Sequence, residues 1–298
     1  MGCNFDITIT ANSQKEANTK IDLAIEEIER IEHLISSWKP TSQTSKINRN
    51  AGIKPVVVDH ELFQLIKRSI ALSEITDGAF DISFAATNKI WKFNGKEMEM
   101  PSKVEIAEFI KAIGYKDIIL NNEESSVFLS KKGMKIGFGA IGKGYAADKA
   151  KHLLQQHGVL AGIINASGDM NSWGLQPSSI PWKVAIVNPL DVSKNFGLFE
   201  LKNSAVVTSG NYEKYLTIEG KRYAHIIDPR TGMPTKGILS VTVFAPKAEM
   251  ADALATAVFV LGDELGISLI NQLPKVEAII VKDDGNLKTS NNINVSTK

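Results

Sequence analysis

Gly137-Phe138-Gly139-Ala140-Ile141-Gly142-Lys143-Gly144 is the stretch on which the fold class turns. Gly137, Gly139 and Gly142 spell G-x-G-x-x-G between a short strand and a helix, the fingerprint of a Rossmann dinucleotide site. The same letters give G-x-x-x-x-G-K, most of a P-loop. A P-loop needs Ser or Thr next, and Gly144 stands there. The Rossmann reading is also incomplete. Its strand is short and late in the chain, and the following strand ends Ile164-Asn165-Ala166 without the expected acid. What survives is physical. Small residues let backbone approach a ligand, a helix start favours anions, and Lys143 adds a charge. The loop reads as a site for an anionic, phosphorylated ligand or as a helix-packing turn.

Outward from the loop, no steady βαβ alternation appears. Phe5, Ile7 and Ile9 alternate with polar residues as a half-buried strand. Ser13 to Ser36 reads as a long amphipathic helix, with Ile21, Ala24, Ile25, Ile28, Ile31, Leu34 and Ile35 on one stripe. Ser36 to Ala51 reads as a polar loop. Helices follow over 60–76, 102–113 and 144–157. Short strands fit 118–120, 127–130, 134–136, 161–166, 182–187, 197–201, 205–208, 215–218 and 239–245. Two helices, 250–261 and 263–271, precede a last strand over 276–282, and the tail from Leu287 is expected to fray. Mixed elements in this order predict an α+β fold. Residues 1–285 read as a single unit, or two intimate subdomains, before a polar tail over 286–298.

Composition narrows the function classes. Of 298 residues, 43% are hydrophobic and 22% charged, with a net charge of +1. That balance gives no electrostatic footprint for nucleic acid or an anionic membrane. The single cysteine, Cys3, excludes an internal disulfide and any cysteine-based zinc site. No apolar run is expected to reach the length of a transmembrane helix. The opening Met1-Gly2-Cys3-Asn4-Phe5-Asp6 fails the myristoylation pattern. A cysteine so placed hints at a bacterial lipoprotein, without the apolar segment that should precede it, and Cys3 reads as a small strand residue.

Two strings carry candidate chemistry. In Ala251-Asp252-Ala253-Leu254-Ala255-Thr256, Asp252 and Thr256 lie four apart among strong helix formers, so their oxygens share a helix face. A carboxylate beside a hydroxyl suits a hard cation such as Mg²⁺, or a solvated edge or cap. His225-Ile226-Ile227-Asp228-Pro229-Arg230-Thr231-Gly232 places an imidazole before a turn, as a candidate base or a structural histidine. Metal, phosphate and base together suggest phosphoryl-type chemistry.

Eight strings in chain order then make a pattern. They are Met1-Gly2, Trp38 in Ser36-Ser37-Trp38, Thr76-Asp77-Gly78-Ala79-Phe80-Asp81, Gly139 to Ala146, Asn165-Ala166-Ser167-Gly168-Asp169, Thr208-Ser209-Gly210-Asn211-Tyr212, His225 to Gly232, and Ala251 to Thr256. Their order and spacing, from Met1 to about Val281, resemble the ApbE family of FAD:protein FMN transferases. The resemblance implies a T-fold-like arrangement of mixed sheets and packed helices, with FAD in a cleft. It implies Mg²⁺-dependent cleavage of the FAD pyrophosphate and transfer of FMN to a threonine of an acceptor flavoprotein, releasing AMP. Acceptors of such enzymes include subunits of sodium-pumping quinone reductases and related electron-transport complexes. Some members instead hydrolyse FAD to FMN and AMP, and a flavin-binding protein without turnover is the third alternative.

The resemblance also assigns roles. Asp252 and Thr256 match Mg²⁺ ligands, and Ala140 and Ala255 match positions contributing backbone carbonyls. Met1, Trp38, Ala79, Phe80, Asp81, Gly137, Lys143 and Ile226 match FAD-contacting positions. His225 matches the catalytic base, with Lys143 sharing the phosphate charge and Asp169 next in line as a base. Trp38 is expected to stack on the dinucleotide rather than anchor a buried loop. Ala79 and Phe80 carry the alternative of a helix stop followed by core. Two departures stand out. Gly137 replaces an acid common in relatives, so a polar contact to FAD is missing or supplied elsewhere, and Ser167 replaces a usual glycine. Many relatives are exported lipoproteins, so the periplasmic side of the bacterial inner membrane is the expected location, reached through an anchor outside this sequence, with a cytoplasmic location as the alternative.

Overall fold

In the computed structural model, which describes residues 2–86, 90–91, 99–211, 215–219 and 221–293, the alternating start of the chain forms β1 (Phe5–Ile9) and the amphipathic run forms α1 (Gln14–Ile35). There follow α2 (Gln43–Arg49), β2 (Val56–Val57), α3 (His60–Ile75), α4 (Lys103–Ile110), β3 (Ile118–Asn121), β4 (Ser126–Leu129) and α5 (Gly142–Gln156). The second half runs β5 (Gly162–Ala166), β6 (Asp169–Trp173), β7 (Trp182–Asn188), β8 (Asp191–Leu201), β9 (Ala205–Gly210), β10 (Tyr215–Ile218), β11 (Lys221–Ala224), β12 (Ile238–Ala245), α6 (Ala248–Gln272), β13 (Glu277–Lys282) and β14 (Leu287–Thr289). The chain divides into two units. The first takes Met1–Glu32, Ile141–Gly210 and Gly237–Lys298; the second takes His33–Ala140 and Asn211–Lys236.

The first unit is built on a seven-stranded sheet in the order β1-β5-β6-β9-β12-β13-β14, every neighbouring pair antiparallel. Ala24 and Ile28 of α1 pack with Ala147, Ala150 and Leu154 of α5 over Ile164 and Trp173 of the sheet. A hairpin of β7 and β8 buries Trp182, Val184 and Ile186 against Leu201 and Val206. The helix α6 corrects one expectation. By length and composition it is apolar enough to cross a membrane. Its residues Ala251, Leu254, Ala255, Val258 and Phe259 are buried on one face, and Asp252, Ala253 and Ala257 outside that face are buried too, as befits the core helix of a globular unit. Each large apolar side chain so buried contributes roughly 1.5–3 kcal/mol. The two helices expected here meet at Gly262, whose φ of 86° breaks the helical geometry inside α6.

The second unit pairs β2-β4-β3 as one sheet and β10-β11 as a hairpin. Ile47, Leu62, Phe63, Leu65, Ile66, Val127 and Leu129 are buried in it. Trp91, Phe109, Ile113, Leu216, Ile218 and Ile227 form a second cluster, and the Trp91 indole donates to Gly232 O at 2.9 Å.

Several local expectations change. The polar loop over 36–51 contains α2, started by Ser42, whose Oγ accepts the Ser45 N–H at 3.0 Å. Residues 134–136 make no strand; Asn48 satisfies Ile136 N–H and C=O with its side-chain amide at 2.8 and 2.9 Å. β6 and β11 were not evident from hydropathy, because β6 buries polar Asp169, Asn171 and Ser172 and β11 is short and basic. Leu287–Thr289, expected to fray, pairs with Ile279–Val281. Cys3 precedes β1 rather than lying in it.

Candidate active site

The first unit gathers three charged side chains where α5 begins. Lys143 Nζ lies 2.6 Å from Asp169 Oδ2 at the head of β6. Asp252, from α6, accepts the Gly144 N–H through Oδ2 at 3.2 Å. Asp169 is wholly buried and Asp252 is 3% exposed. Burial pushes the Asp252 carboxyl up to about 7 and the neighbouring Asp169 adds to the rise, while Lys143 and backbone N–H groups pull it back. Burial raises Asp169 as well, against the pull of Lys143 and a hydrogen bond with Asp252. Burial alone would lower Lys143, but Asp252 and Asp169 outweigh it and hold the ammonium above its ordinary range. One ammonium therefore faces two buried carboxylates, and a second positive charge would complete the balance.

That arrangement fits a divalent cation with oxygen ligands. Asp252 offers a carboxylate, and Thr256, half-buried one turn further along α6, offers a hydroxyl. Ala255 is buried in the same turn, and Ala140 is the last residue of the second unit's first segment. Among the described residues no three His, Cys, Asp or Glu side chains are grouped for a metal. A cation here would draw on few carboxylates and complete its shell with neutral oxygens, the habit of Mg²⁺.

The glycine loop resolves into separate jobs. A Cβ at Gly144 would stand 2.2 Å from Ala248 O, so this glycine exists to bring the starts of α5 and α6 together. A Cβ at Gly137 would meet the Ala85 methyl at 2.8 Å, and Gly137 N–H donates to Ile82 O at 2.9 Å. Gly139 has open space where a Cβ would go. Packing thus accounts for Gly144 and Gly137, and Lys143 points its charge at carboxylates.

The remaining candidates lie in the second unit. Trp38 is 91% exposed, on a turn where Ser36 Oγ accepts the Trp38 and Lys39 N–H groups at 3.2 and 3.1 Å. The buried-anchor alternative for Trp38 is therefore excluded. Ala79 and Phe80 are buried at 1% and 2%, and their N–H groups bond back to Thr76. Their side chains belong to the core. Asp81 accepts the Ser83 N–H at 2.7 Å and the Tyr115 N–H at 2.8 Å, one on each carboxylate oxygen, so it fastens two turns together. Burial raises its carboxyl despite those bonds. His225 follows β11, with Nδ1 buried. Ile226 O accepts both the N–H and the hydroxyl of Thr235 at 2.9 Å. Beyond it Arg230 grips Asp228 with two bonds of 2.9 Å. Met1 and Tyr212 lie outside the described residues.

Sequence reading missed Asp148. It sits on α5 among small residues, and its two oxygens accept the Ala248 and Glu249 N–H groups at 3.0 and 2.9 Å. The available signal was its i+4 spacing from Gly144, which puts both on one helix face.

A family model decides the identity: the description "ApbE family" matches residues 1–280. The chain belongs to the ApbE family. An ApbE relative from Treponema pallidum, named FAD:protein FMN transferase, is 32% identical over 93% of this chain and 82% of the relative. Another of that name from Klebsiella pneumoniae is 34% identical over 85% of this chain and 79% of its own length. The crystal structure of the ApbE protein of Thermotoga maritima superposes with a TM-score of 0.85 at 34% identity, covering 95% of this chain and 93% of that one. The apo flavinyl transferase ApbE of Pseudomonas stutzeri gives 0.84 at 25% identity, over 97% and 91%. The α+β class read from the element order is the class of these ApbE structures.

Proposed function

We propose that the protein is a Mg²⁺-dependent FAD:protein FMN transferase. The observation that carries this is the Lys143–Asp169–Asp252 cluster, with one partly exposed ammonium against two buried carboxylates, in a chain whose relatives bear that name. Asp252 and Thr256 would hold the cation, with backbone carbonyls of Ala140 and Ala255. When bound, Mg²⁺ would neutralise charge on the pyrophosphate. Lys143 binds phosphate oxygens and shares that charge. Trp38, exposed and held by Ser36, supplies a face for an aromatic ring system. In the transfer, a threonine Oγ forms a bond to the FMN phosphorus, the bond from that phosphorus to the bridging oxygen breaks, and AMP leaves. The hydroxyl proton passes to the His225 imidazole, because a threonine hydroxyl is a weak nucleophile without a base within reach. The acceptor is a flavoprotein of electron-transport type, and an envelope location follows from the same family resemblance; cell fractionation tests the latter.

Incubation with FAD, Mg²⁺ and a threonine-bearing acceptor peptide, read by mass spectrometry, tests the proposal. Flavinylated peptide with AMP supports it. Free FMN with AMP would make the protein a pyrophosphatase, and unchanged FAD a flavin-binding protein.

A further inference from the structure

The two helices at the site begin without side-chain caps of their own. Ile141 precedes α5 and Lys247 precedes α6, and neither side chain accepts from the turn it opens. A helix leaves its first four N–H groups without intrahelical partners. Here each helix caps the other. Asp148 on α5 accepts from Ala248 and Glu249 at the start of α6, at 3.0 and 2.9 Å. Asp252 on α6 accepts from Gly144 at the start of α5, at 3.2 Å, and the Lys143 N–H also bears on it. The spacing is the same both ways, since Asp148 is one turn beyond Gly144 and Asp252 one turn beyond Ala248. The absent side chain of Gly144 lets the two backbones touch.

Asp148 is held in its turn. Asn171 Nδ2 donates to Asp148 Oδ1, and Lys151 Nζ donates to Asn171 Oδ1 and Ser172 O, both at 2.9 Å. Asn171 and Ser172 belong to β6, the strand that opens with Asp169. The carboxylate of Asp148 thus ties α5, α6 and β6 at one point.

We infer that Asp148 is a positioning residue for Asp252, fixing through the exchanged caps where the Asp252 carboxylate stands beside Lys143 and Asp169. A simple cap would satisfy α6 and do no more. The exchanged pair sets the register between α5 and α6, and Asp252 is carried on that register. The cation-binding consequence rests on the function proposed above; the positioning itself does not.

The test uses the full chain in three forms: wild type, Asp148→Asn, and Asp148→Ala combined with Lys247→Ser. Residue 247 has extended backbone, so a serine there can cap α6 locally. Hydrogen exchange at the Gly144 amide, without metal, reads the position of Asp252. Mn²⁺ titration by electron paramagnetic resonance reads the consequence. In Asp148→Asn the Gly144 amide should exchange about tenfold faster, as for a lost buried hydrogen bond. The Mn²⁺ dissociation constant should rise about 10–100-fold, as when a partner of a ligand is removed. In the double variant thermal stability should recover while Gly144 protection and Mn²⁺ affinity stay low. Unchanged Gly144 protection in folded Asp148→Asn overturns the inference, and so does full recovery of protection in the double variant. If the wild type binds no Mn²⁺ yet Gly144 loses protection as stated, positioning stands and the cation reading fails.

Discussion

Lys143 Nζ stands 2.6 Å from Asp169 Oδ2, a partly exposed ammonium fixed to a wholly buried carboxylate. The helix α5 thereby carries a cation in its first turn, where the helix field is itself positive. That location is costly for a lysine unless acids or a phosphate lie in front of it. Asp169 and Asp252 fill that need in the protein alone, and a pyrophosphate would fill it in a complex.

Replacing Lys143 by alanine should weaken FAD binding and leave Asp169 buried without its ammonium. One charge-assisted bond of this kind is worth ~1.5–3 kcal/mol. The loss of stability should be larger at pH 8 than at pH 5. Burial raises Asp169 above its unfolded value, so its favourable contribution is full at low pH and is lost as pH rises through the folded value. Removing the ammonium raises it further. Thermal melts at the two pH values and a flavin titration check this; an equal loss at both would remove the charge argument.

Asp252→Asn should abolish Mg²⁺-dependent turnover while flattening the pH dependence of the metal-free protein's stability. The Asp252 carboxyl is pushed up to about 7 by burial and by Asp169, from 3.8. A raised carboxyl stabilises the fold fully below the unfolded value and loses that contribution as pH climbs through about 7. The wild type should therefore melt lower at pH 8 than at pH 5, with Mg²⁺ restoring part of the difference at pH 8. Cation affinity should rise through the same range, since the ligand is the deprotonated form. Calorimetry with and without Mg²⁺ is the measurement, and an Asp252→Asn protein with wild-type pH dependence would count against the assignment.

Gly144→Ala should destabilise the protein by ~1–3 kcal/mol or more, because the new methyl meets a backbone oxygen at 2.2 Å that cannot swing away. Gly139→Ala, with open space at its Cβ, should change stability by under about 1 kcal/mol. Parallel denaturant titrations compare the two, and similar midpoints would mean that α5 and α6 can part without cost.

His225→Ala should slow peptide flavinylation by roughly 10²–10⁴ with little change in FAD affinity, since a base acts in the transition state. The turn beyond it should persist, because Arg230 and Asp228 hold each other and Ile226 O is satisfied by Thr235. Flavin titration against initial rate separates the roles. Poor binding with normal saturated turnover would make His225 a binding residue and move the search for the base to Asp169.

Local chemistry made much of the fold legible. The stripe from Ile21 to Ile35 gave α1, the alternation at Phe5, Ile7 and Ile9 gave β1, and the acid–hydroxyl spacing put Asp252 and Thr256 on one face of α6. These features depend on neighbours within one or two turns, which the sequence displays. The polar strand β6 and the helix α2 were not legible, because their buried residues Asn171, Ser172, Thr44 and Ser45 are polar and show no hydrophobic period. Asn171 is met by Asp148 and Lys151 and Ser172 by Ser204, while Thr44 and Ser45 bond Leu34 and Ser36 at the end of α1. Nor could the sequence distinguish a ligand-cradling glycine from a packing one. Gly144 and Gly137 read alike until the backbone of Ala248 and the methyl of Ala85 appeared beside them. The charge cluster is the clearest case. Lys143, Asp169 and Asp252 are separated by long stretches of chain, and only the meeting of α5, β6 and α6 makes them neighbours. Sequence by itself determined the elements with a clear hydrophobic period, such as α1 and β1, and which residue types are available for chemistry. The tertiary structure decided which of those residues share a low-dielectric space, and burial there is what shifts their charges.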